Sequence, residues 1–321
     1  MYPSQLEVIL RNNRWLWVLV EKAFGWLNRI SNPRGILLNY SVVKLDHVVR
    51  NSSNNHDFAK AAILIQGPIL FPKFLNSTID FYRGSYPDIP IILSTWKNEV
   101  NLKHLRNLDF IKLIENEPPL KAGIANINYQ VKSVVSGVDY AESIGIEYIL
   151  KIRSDQGLFA SNFLYQFKQA LAFAPDSGQE RIVTTDFNSF LFRLNSPSDQ
   201  IQFAATKTLS NFWSAYRMDT EQDGGFPEEI LLSAYLKSIG CKAPISLEES
   251  LKIYRDHFVF LDSSDLGLVW RKGSWRHPDS RFEQLDSSSQ LRFVSPDEWR
   301  RLHTDLKSVL TEAKDLGVSN A

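Results

Sequence analysis

Three polar residues, Arg153, Ser154 and Asp155, follow the mostly apolar run YILKI at 148–152. The run has the composition of a buried strand, so the polar side chains either form a solvated turn or face a ligand. The Asp155 carboxylate suits magnesium or manganese, which prefer oxygen ligands, and it equally suits an Asx turn that caps a helix. The Arg153 guanidinium can bind a phosphate through two hydrogen bonds, or it can pair with Asp155.

Two further carboxylates lie in the segment GGFPEEILLSAYLKSIG at 224–240. Pro227 suits the first position of a helix, which places Glu228 and Glu229 in the first turn. The helix dipole favours carboxylates there without any catalytic role. A glutamate at a loop–helix junction is also well placed to act as a general base that removes a proton from a hydroxyl group. Both interpretations remain open at this point.

Basic and aromatic residues are interleaved near the end of the chain, in YRDHF at 254–258 and WRKGSWRH at 270–277. Cations such as Arg271 and Lys272 could clamp a diphosphate, and His257 could complete a metal shell. An ordinary solvated surface has a similar composition. Residues of sugar-binding type, Asp186 and Asn188, precede a mixed polar and aromatic segment at 190–203 that includes Arg193.

The hydropathy pattern indicates the elements that would position these groups. Continuous apolar runs predict strands buried on both faces at 61–69, 89–96, 110–117 and 147–155, with a fifth at 181–187. Helical segments at 74–86, 127–141 and 163–173 alternate with them. This alternation predicts an α/β fold with a mostly parallel sheet flanked by helices, in which ligands bind beyond the carboxyl ends of the strands. No glycine-rich phosphate loop of the Rossmann or Walker type is present.

Composition narrows the classes of protein. The 321 residues are 44% hydrophobic, which excludes a disordered chain. Lys+Arg and Asp+Glu both total 36, so the basic excess typical of a nucleic-acid binder is missing. The single cysteine, Cys241, allows no internal disulfide and indicates a reducing compartment. The polar loop at 50–57 predicts a boundary between an N-terminal extension, 1–56, and a main domain, 57–260, followed by a C-terminal extension, 261–321.

The N-terminal segment WLWVLVEKAFGWL at 15–27 contains three of the eight tryptophans and is flanked by arginines. It is too short, and too interrupted by Glu21 and Lys22, to span a bilayer. Tryptophan, leucine and basic residues together suit an amphipathic helix that lies in a membrane interface. A helix packed on the main domain is the alternative.

Seven segments, taken together and in order, look like the WavE family of lipopolysaccharide-synthesis proteins, which are taken to be glycosyltransferases. They span roughly residues 61 to 260 and are ILIQGPI, IILSTWKN, NINYQVKSVVSGVDYA, YILKIRSDQ, NSFLFR, QFAATKTLSNFW and PEEILLSAYLKSIG. The resemblance implies a fold of the GT-A type, a nucleotide-sugar donor and a bacterial surface glycan as acceptor, such as lipopolysaccharide core or capsular polysaccharide.

The resemblance also implies roles for individual residues. Asp155 takes the position of the last aspartate of a metal-binding D-x-D motif, whereas Arg153 replaces the first, so a guanidinium could take over part of the work of a manganese or magnesium ion. Glu229, with Glu228 beside it, takes the position of the general base. The expected metal ligands are Asp155 and His257, and the expected acceptor-binding residues are Asp186, Asn188 and Arg193. The expected donor-binding residues are Gln66, Gly67, Pro68, Thr95, Trp96, Lys97, Gln130, Arg153, Ser154, Arg271 and Lys272.

These expectations describe a cytoplasmic glycosyltransferase on the inner face of a bacterial inner membrane, which binds a nucleotide-sugar and a lipid-linked or polysaccharide acceptor but no nucleic acid. A sugar nucleotidyltransferase is the first alternative, although QGPILFPK at 66–73 is a poor version of its glycine-rich basic loop. A non-catalytic scaffold that binds membrane through the tryptophan-rich segment is the second. The scaffold predicts that Asp155 and Glu229 can be replaced without loss of glycan.

Overall fold

A computed structural model describes residues 60–106, 108–218, 225–271 and 292–318. Within these ranges the strands are β1 Ala61–Gln66, β2 Ile91–Trp96, β3 Ile111–Asn116, β4 Tyr148–Arg153, β5 Gln156–Leu158, β6 Ile182–Thr185, β7 Gln202–Ala205, β8 Phe258–Leu261 and β9 Leu268–Trp270. The helices are α1 Pro72–Ser85, α2 Ile127–Ser143, α3 Phe163–Phe173, α4 Thr206–Ser214, α5 Pro227–Ser238, α6 Leu247–His257, α7 Pro296–Thr304 and α8 Leu306–Asp315.

Seven strands form one sheet in the order β3-β2-β1-β4-β7-β6-β8. Strand β7 is antiparallel to both neighbours, β4 and β6, and the other pairings in the sheet are parallel. The predicted mostly parallel sheet flanked by helices is therefore confirmed, and each of the five predicted strands is present. The antiparallel strand β7 was not predicted, because its four residues carry no pattern that separates it from a loop.

The helices cover both faces of this sheet. Adjacent residues of β7 point to opposite faces, and Gln202 accepts a hydrogen bond from Trp213 of α4 while Phe203 packs against Phe167 of α3. Helix α1 lies beside α3, since the rings of Tyr82 and Phe163 are 5.0 Å apart. Both faces of the central strands are consequently dry, which explains why their sequences are continuously apolar.

The central strand β1 is buried along its whole length, and helix α2 approaches it closely at Gly137. A β-carbon at Gly137 would lie 2.3 Å from Cδ1 of Leu64, so only glycine allows this contact without a shift in the strand or the helix. The close approach brings the first turns of α2 over the carboxyl ends of β1 and β2.

Strands β5 and β9 form a separate two-stranded antiparallel ladder in which Gln156 is opposite Trp270. Because β5 follows β4 after two residues, this ladder brings residues near 270 to the carboxyl end of the central sheet. Among the described residues, no helix has the length and apolar character needed to cross a membrane. The segments 1–59 and 272–291, which include the predicted interfacial helix and Lys272, lie outside the described residues.

Candidate active site

The predicted strand-end residues lie at one edge of the sheet. Gln66 is level with Ser94 of β2 and with Arg153 of β4 in the parallel pairing. Leu150 of β4 and Val183 of β6 both pair with the same residue of β7, so these two positions are level across the sheet. Three residues further along each strand, Asp186 is therefore level with Arg153. We call this the carboxyl edge of the sheet.

Asp155 is bound on both carboxylate oxygens by neighbouring side chains. Nε and Nη2 of Arg153 donate to its two oxygens at 2.8 and 2.9 Å, and the indole Nε1 of Trp270 donates at 3.1 Å. The backbone carbonyl of Asp155 accepts from the amide of Arg271 at 2.8 Å. The Asp155 side chain is only 4% exposed and that of Arg153 is 24% exposed, so the guanidinium is the part of this group that solvent or a ligand can reach.

This arrangement does not fit a divalent cation on Asp155. Both carboxylate oxygens already accept charge-assisted or indole hydrogen bonds, and a cation there would lie next to the Arg153 guanidinium. Within the described ranges, no group of three or more His, Cys, Asp or Glu side chains could hold a metal ion. His257 is not brought to Asp155, because Phe258 pairs with Ile182 at the opposite edge of the sheet. Burial lowers the pKa of His257, and its neighbour there is Asp256.

The loop after β1 is fastened to the end of β4. The hydroxyl of Ser154 donates to the carbonyl of Pro68 at 2.6 Å, and its backbone amide donates to the carbonyl of Gln66. Gly67 between them has a φ of +112°, a conformation that favours glycine. The side-chain oxygen of Gln66 accepts from Ser133 of α2, so it is used for packing inside the protein.

A second group of predicted donor-binding residues lies where α2 meets the end of β2. The rings of Trp96 and Tyr129 are 4.9 Å apart, which places the first turn of α2 beside the strand end. Oγ1 of Thr95 and Oε1 of Gln130 are both buried and have no hydrogen-bond partner among the described residues. Lys97 points outwards and forms an exposed ion pair with Glu117.

Arg271 continues from the β5–β9 ladder towards helix α1. Its guanidinium lies 5.7 Å from the ring centre of Phe74, and burial lowers its pKa. The buried Nε of Arg271 has no partner within the described part of the chain. An unsatisfied buried donor of this kind is suited to an anionic ligand.

The two glutamates of helix α5 have different surroundings. Oε2 of Glu229 accepts from the backbone amide of Phe226 at 3.2 Å and so caps the start of its own helix, and Oε1 is 4.0 Å from Nε of Arg193. Burial, followed by the negative charge of Asp199, raises the pKa of Glu228 to about 7. The two carboxylates therefore differ: burial and Asp199 raise the pKa of Glu228, whereas Glu229 caps its own helix.

The predicted acceptor-binding residues are also at the carboxyl edge. The guanidinium of Arg193 stacks on Phe226, with its central carbon 3.3 Å from the ring centre. Burial raises the pKa of Asp186 to about 6, although its Oδ1 accepts from the amide of Ser263 at 2.9 Å. Asn188 is buried and has a left-handed backbone conformation, with φ +62°.

Two residues of this region have no counterpart in the sequence-based predictions. Lys151 is fully buried inside β4, and Asp199 is buried in the loop before β7. That loop belongs to the segment at 190–203 that was expected to contact a sugar, yet residues 195–200 are all buried. A lysine within an apolar run and an aspartate within a polar segment give no sequence signal of proximity.

A surface cavity of about 380 Å³ lies away from these residues, at the opposite edge of the sheet. Its lining includes Tyr148 at the start of β4, Arg181 just before β6 and Ala205 at the end of the antiparallel β7. None of the predicted site residues lines it. The polar groups that converge are therefore at the carboxyl edge, not in this cavity.

Comparison with known proteins gave one family and several distant structures. No curated protein matched the chain. A glycosyltransferase involved in the glycosylation of the major capsid of PBCV-1 is 15% identical, with a TM-score of 0.36 over 70% of this chain and 99% of that one. Glucosyl-3-phosphoglycerate synthase from Mycobacterium tuberculosis is 10% identical, with a TM-score of 0.39 over 77% of this chain and 78% of that one. At such scores these likenesses carry no functional weight.

The family match is of a different kind, because it covers one continuous half of the chain. The model of the family described as WavE lipopolysaccharide synthesis matches residues 61–224. This range begins with β1 and includes Arg153, Asp155, Asp199 and the whole of the seven-stranded sheet except β8. The chain belongs to the WavE lipopolysaccharide synthesis family.

Proposed function

We propose that this protein is a glycosyltransferase that moves a sugar from a nucleotide-sugar donor to a bacterial surface glycan, either lipopolysaccharide core or capsular polysaccharide. The observation that carries the proposal is that a cation for the donor diphosphate and a carboxylate suited to act as a base lie together at the carboxyl edge of the sheet. Arg153 supplies a partly exposed cation for a diphosphate, and the charge of Glu228 acts on that same guanidinium. Family membership supports the glycan acceptor.

In this mechanism, Glu228 takes the proton of the acceptor hydroxyl as its oxygen forms a bond to the anomeric carbon. The bond between that carbon and the donor diphosphate breaks, and its electron pair leaves with the diphosphate. Arg153 and Arg271 stabilise the negative charge that develops there. A base with a pKa near 7 combines a substantial ionised fraction with useful proton affinity.

Glu228 is proposed as the base in preference to Glu229, which the resemblance implied. Both carboxylate oxygens of Glu229 face neighbouring groups of the protein. One accepts from the amide of Phe226, and the other lies near the guanidinium of Arg193. A capping carboxylate that left its helix to take a proton would leave a backbone donor without a partner. The pKa of Glu228, one position earlier, is raised to about 7 by burial and by Asp199, although the backbone amide of its own residue lowers it.

No step in this mechanism passes through a metal ion, because the described residues around Asp155 do not fit one. Asp155 instead holds the Arg153 guanidinium in a fixed orientation, and that guanidinium neutralises the diphosphate. The proposal therefore assigns to Arg153 the charge that a divalent cation was expected to supply. Peripheral attachment to the inner face of the membrane, through the tryptophan-rich segment at 15–27, is a further part of the proposal.

Calorimetric titration of UDP, GDP, CMP and dTDP, with and without manganese, tests the donor site. We expect one nucleotide to bind with micromolar affinity in the absence of manganese and to bind more weakly to Asp155→Ala, in which Arg153 is no longer held. Absence of binding to every nucleotide would instead favour the scaffold. Pyrophosphate release from a nucleoside triphosphate and a sugar 1-phosphate would identify a nucleotidyltransferase.

A further inference from the structure

Arg193 carries a positive charge whose hydrogen-bond donors are unused. Its Nε and Nη2 are buried, and neither has a partner among the described residues. Within that part of the chain, Arg193 and Arg271 are the two arginines with buried nitrogens in this condition. A charged donor that is buried without a partner costs more than a neutral one. The guanidinium of Arg193 is therefore expected to bind a group that the described residues do not provide.

The guanidinium is stacked on aromatic rings. Its central carbon lies 3.3 Å from the ring centre of Phe226 and 5.5 Å from that of Phe190. Stacking covers a flat face of a guanidinium and leaves its N–H groups directed outwards in its own plane. The Arg193 side chain is 21% exposed, so a ligand can reach part of this plane.

The backbone that carries Arg193 is held by helix α6. The hydroxyl of Tyr254 donates to the carbonyl of Arg193 at 3.2 Å and accepts from the amide of Ser196 at 2.6 Å. The amide of Asn195 donates to Oγ of Ser250 at 2.9 Å. Because this backbone is fixed before any ligand arrives, less conformational entropy is lost when the guanidinium binds one.

The one described carboxylate within 4.0 Å of this guanidinium does not satisfy it. Oε1 of Glu229 is 4.0 Å from Nε of Arg193, beyond hydrogen-bond distance, and Oε2 accepts from the amide of Phe226. Burial and the charge of Asp199 raise the pKa of Glu228, and the charge of Arg193 opposes them. Arg193 thus lies beside the first turn of α5, which carries the proposed base.

A second stacked arginine shows that stacking alone does not leave such donors. The central carbon of Arg83 lies 3.7 Å from the ring centre of Phe110. Phe110 directly precedes β3, so this pair is at the opposite edge of the sheet. No nitrogen of Arg83 is buried without a partner, and its donors are left to solvent. The two arginines therefore differ in burial, not in their aromatic contact.

We propose that Arg193 binds an anionic group on the acceptor sugar, a phosphate or a carboxylate, and that the protein selects acceptors that carry such a group. Both anions accept two parallel hydrogen bonds from one guanidinium. The inference deepens the proposed function and rests on it. In a direct displacement, the hydroxyl and its base are on one side of the anomeric carbon and the diphosphate leaves on the other. An arginine beside the base is consequently on the acceptor's side.

Titration with simple sugars tests this subsite without a donor and without turnover. Glucose 6-phosphate, glucuronate and glucose are each added to the full chain, and dissociation constants are measured by ligand-observed NMR. We expect the two anionic sugars to bind with dissociation constants of about 1–10 mM, and glucose to bind about 10-fold more weakly. Arg193→Gln should weaken both anionic sugars about 10-fold and leave glucose unchanged.

Arg83→Gln is the matched control, because it removes an arginine with a similar aromatic contact from the opposite edge, and it should bind all three sugars like the wild type. Arg193→Lys keeps the charge but loses the planar fork, so it should also weaken the anionic sugars. It provides the test if Arg193→Gln does not fold. Anionic sugars that bind the Arg193 variants as well as the wild type, or that bind the wild type no better than glucose, would overturn the subsite.

Nucleotide affinity distinguishes the acceptor from the donor as the source of the anion. Calorimetry should show that Arg193→Gln binds nucleotide like the wild type, whereas a fall of about 10-fold would assign Arg193 to the donor and overturn the proposal. If nucleotide binds but the anionic sugars do not depend on Arg193, the proposed function stands and this inference fails. If no nucleotide binds while the anionic sugars still depend on Arg193, the anion subsite stands and the proposed function fails.

Discussion

Arg153 binds both carboxylate oxygens of Asp155 with Nε and Nη2, the two nitrogens along one edge of its guanidinium. The two residues are separated by a single position, so the pair is set by local geometry at the end of β4. The Arg153 side chain is 24% exposed, and its third nitrogen, Nη1, makes no hydrogen bond within the described residues. Asp155 therefore fixes the orientation of a cation that solvent can partly reach, and is itself largely inaccessible.

Replacement of Arg153 by lysine keeps the charge but removes the two-pronged hydrogen bond to Asp155. We expect nucleotide affinity to fall about 10- to 100-fold, the effect of one or two charge-assisted hydrogen bonds. Calorimetry measures it. Arg106→Lys, at a surface ion pair with Asp80, is the control and should bind nucleotide like the wild type. Unchanged affinity in Arg153→Lys would show that the paired hydrogen bonds between the guanidinium and Asp155 have no part in nucleotide binding.

Replacement of Glu228 by glutamine should lower kcat by about 10²- to 10⁴-fold, the usual contribution of a general base. Glu229→Gln should retain most of the activity, since the glutamine side-chain oxygen can accept the same hydrogen bond from the amide of Phe226. In the wild type, turnover should fall as pH decreases below about 7, where Glu228 becomes protonated. Steady-state kinetics over pH measures both effects. The reverse order of the two variants would restore Glu229 as the base.

Asp186 predicts a pH dependence of stability that is separate from catalysis. Burial raises its pKa from 3.8 to about 6, so its ionised form is disfavoured in the folded protein. The wild type should therefore lose stability relative to Asp186→Asn as pH rises from about 4 to about 6, by on the order of 1–3 kcal/mol. The asparagine oxygen still accepts from the Ser263 amide. Urea unfolding at several pH values measures the difference, and a constant difference would contradict the prediction.

The contact between Gly137 and Leu64 predicts a substitution that damages the fold. Alanine favours a helix over glycine by about 1 kcal/mol, whereas overpacking a core costs about 1–3 kcal/mol. Because the new carbon would lie 2.3 Å from Leu64, we expect Gly137→Ala to be destabilising. Gly84→Ala in α1 meets nothing within 4 Å and should be neutral or stabilising. Chemical denaturation compares the two.

Membrane attachment is predicted from the sequence alone, since residues 15–27 lie outside the described ranges. A chain that lacks residues 1–30 should remain in the supernatant of a liposome-sedimentation assay, whereas the full chain should sediment. Substitution of Trp15, Trp17 and Trp26 by serine should weaken sedimentation without shortening the chain. Equal sedimentation of all three proteins would contradict an interfacial helix.

The sequence predicts the strands well because each central strand is dry on both faces. Residues 61–65 are apolar and form the buried β1, and the run around 149–152 forms β4 although Lys151 interrupts it. Helix α2 follows from the regular spacing of its valines. The short β7 escapes prediction because Gln202–Ala205 lacks both length and alternation, and its antiparallel direction is set by its neighbours.

For the site, the sequence predicts which residues follow the strands, but not which side chains from other parts of the chain interact with them. Asp155 and Arg153 are visible as charges after an apolar run, and Glu228 as a carboxylate in a first helical turn. Their different roles depend on burial: the charge of Asp199 acts on Glu228, while Glu229 turns back to its own helix. No spacing in the chain encodes these contacts, since they depend on how the loop before β7 packs.

The ladder between β5 and β9 has a consequence for how the protein matures on the ribosome. The seven-stranded sheet is complete at Leu261. Trp270, whose indole donates a hydrogen bond to Asp155, follows Asp155 by 115 residues. Contacts across such long loops are slow to form because their closure is entropically expensive. A nascent chain that has emerged only as far as Leu261 thus contains every strand of the sheet while Asp155 still lacks its indole partner. The site is therefore finished after its scaffold.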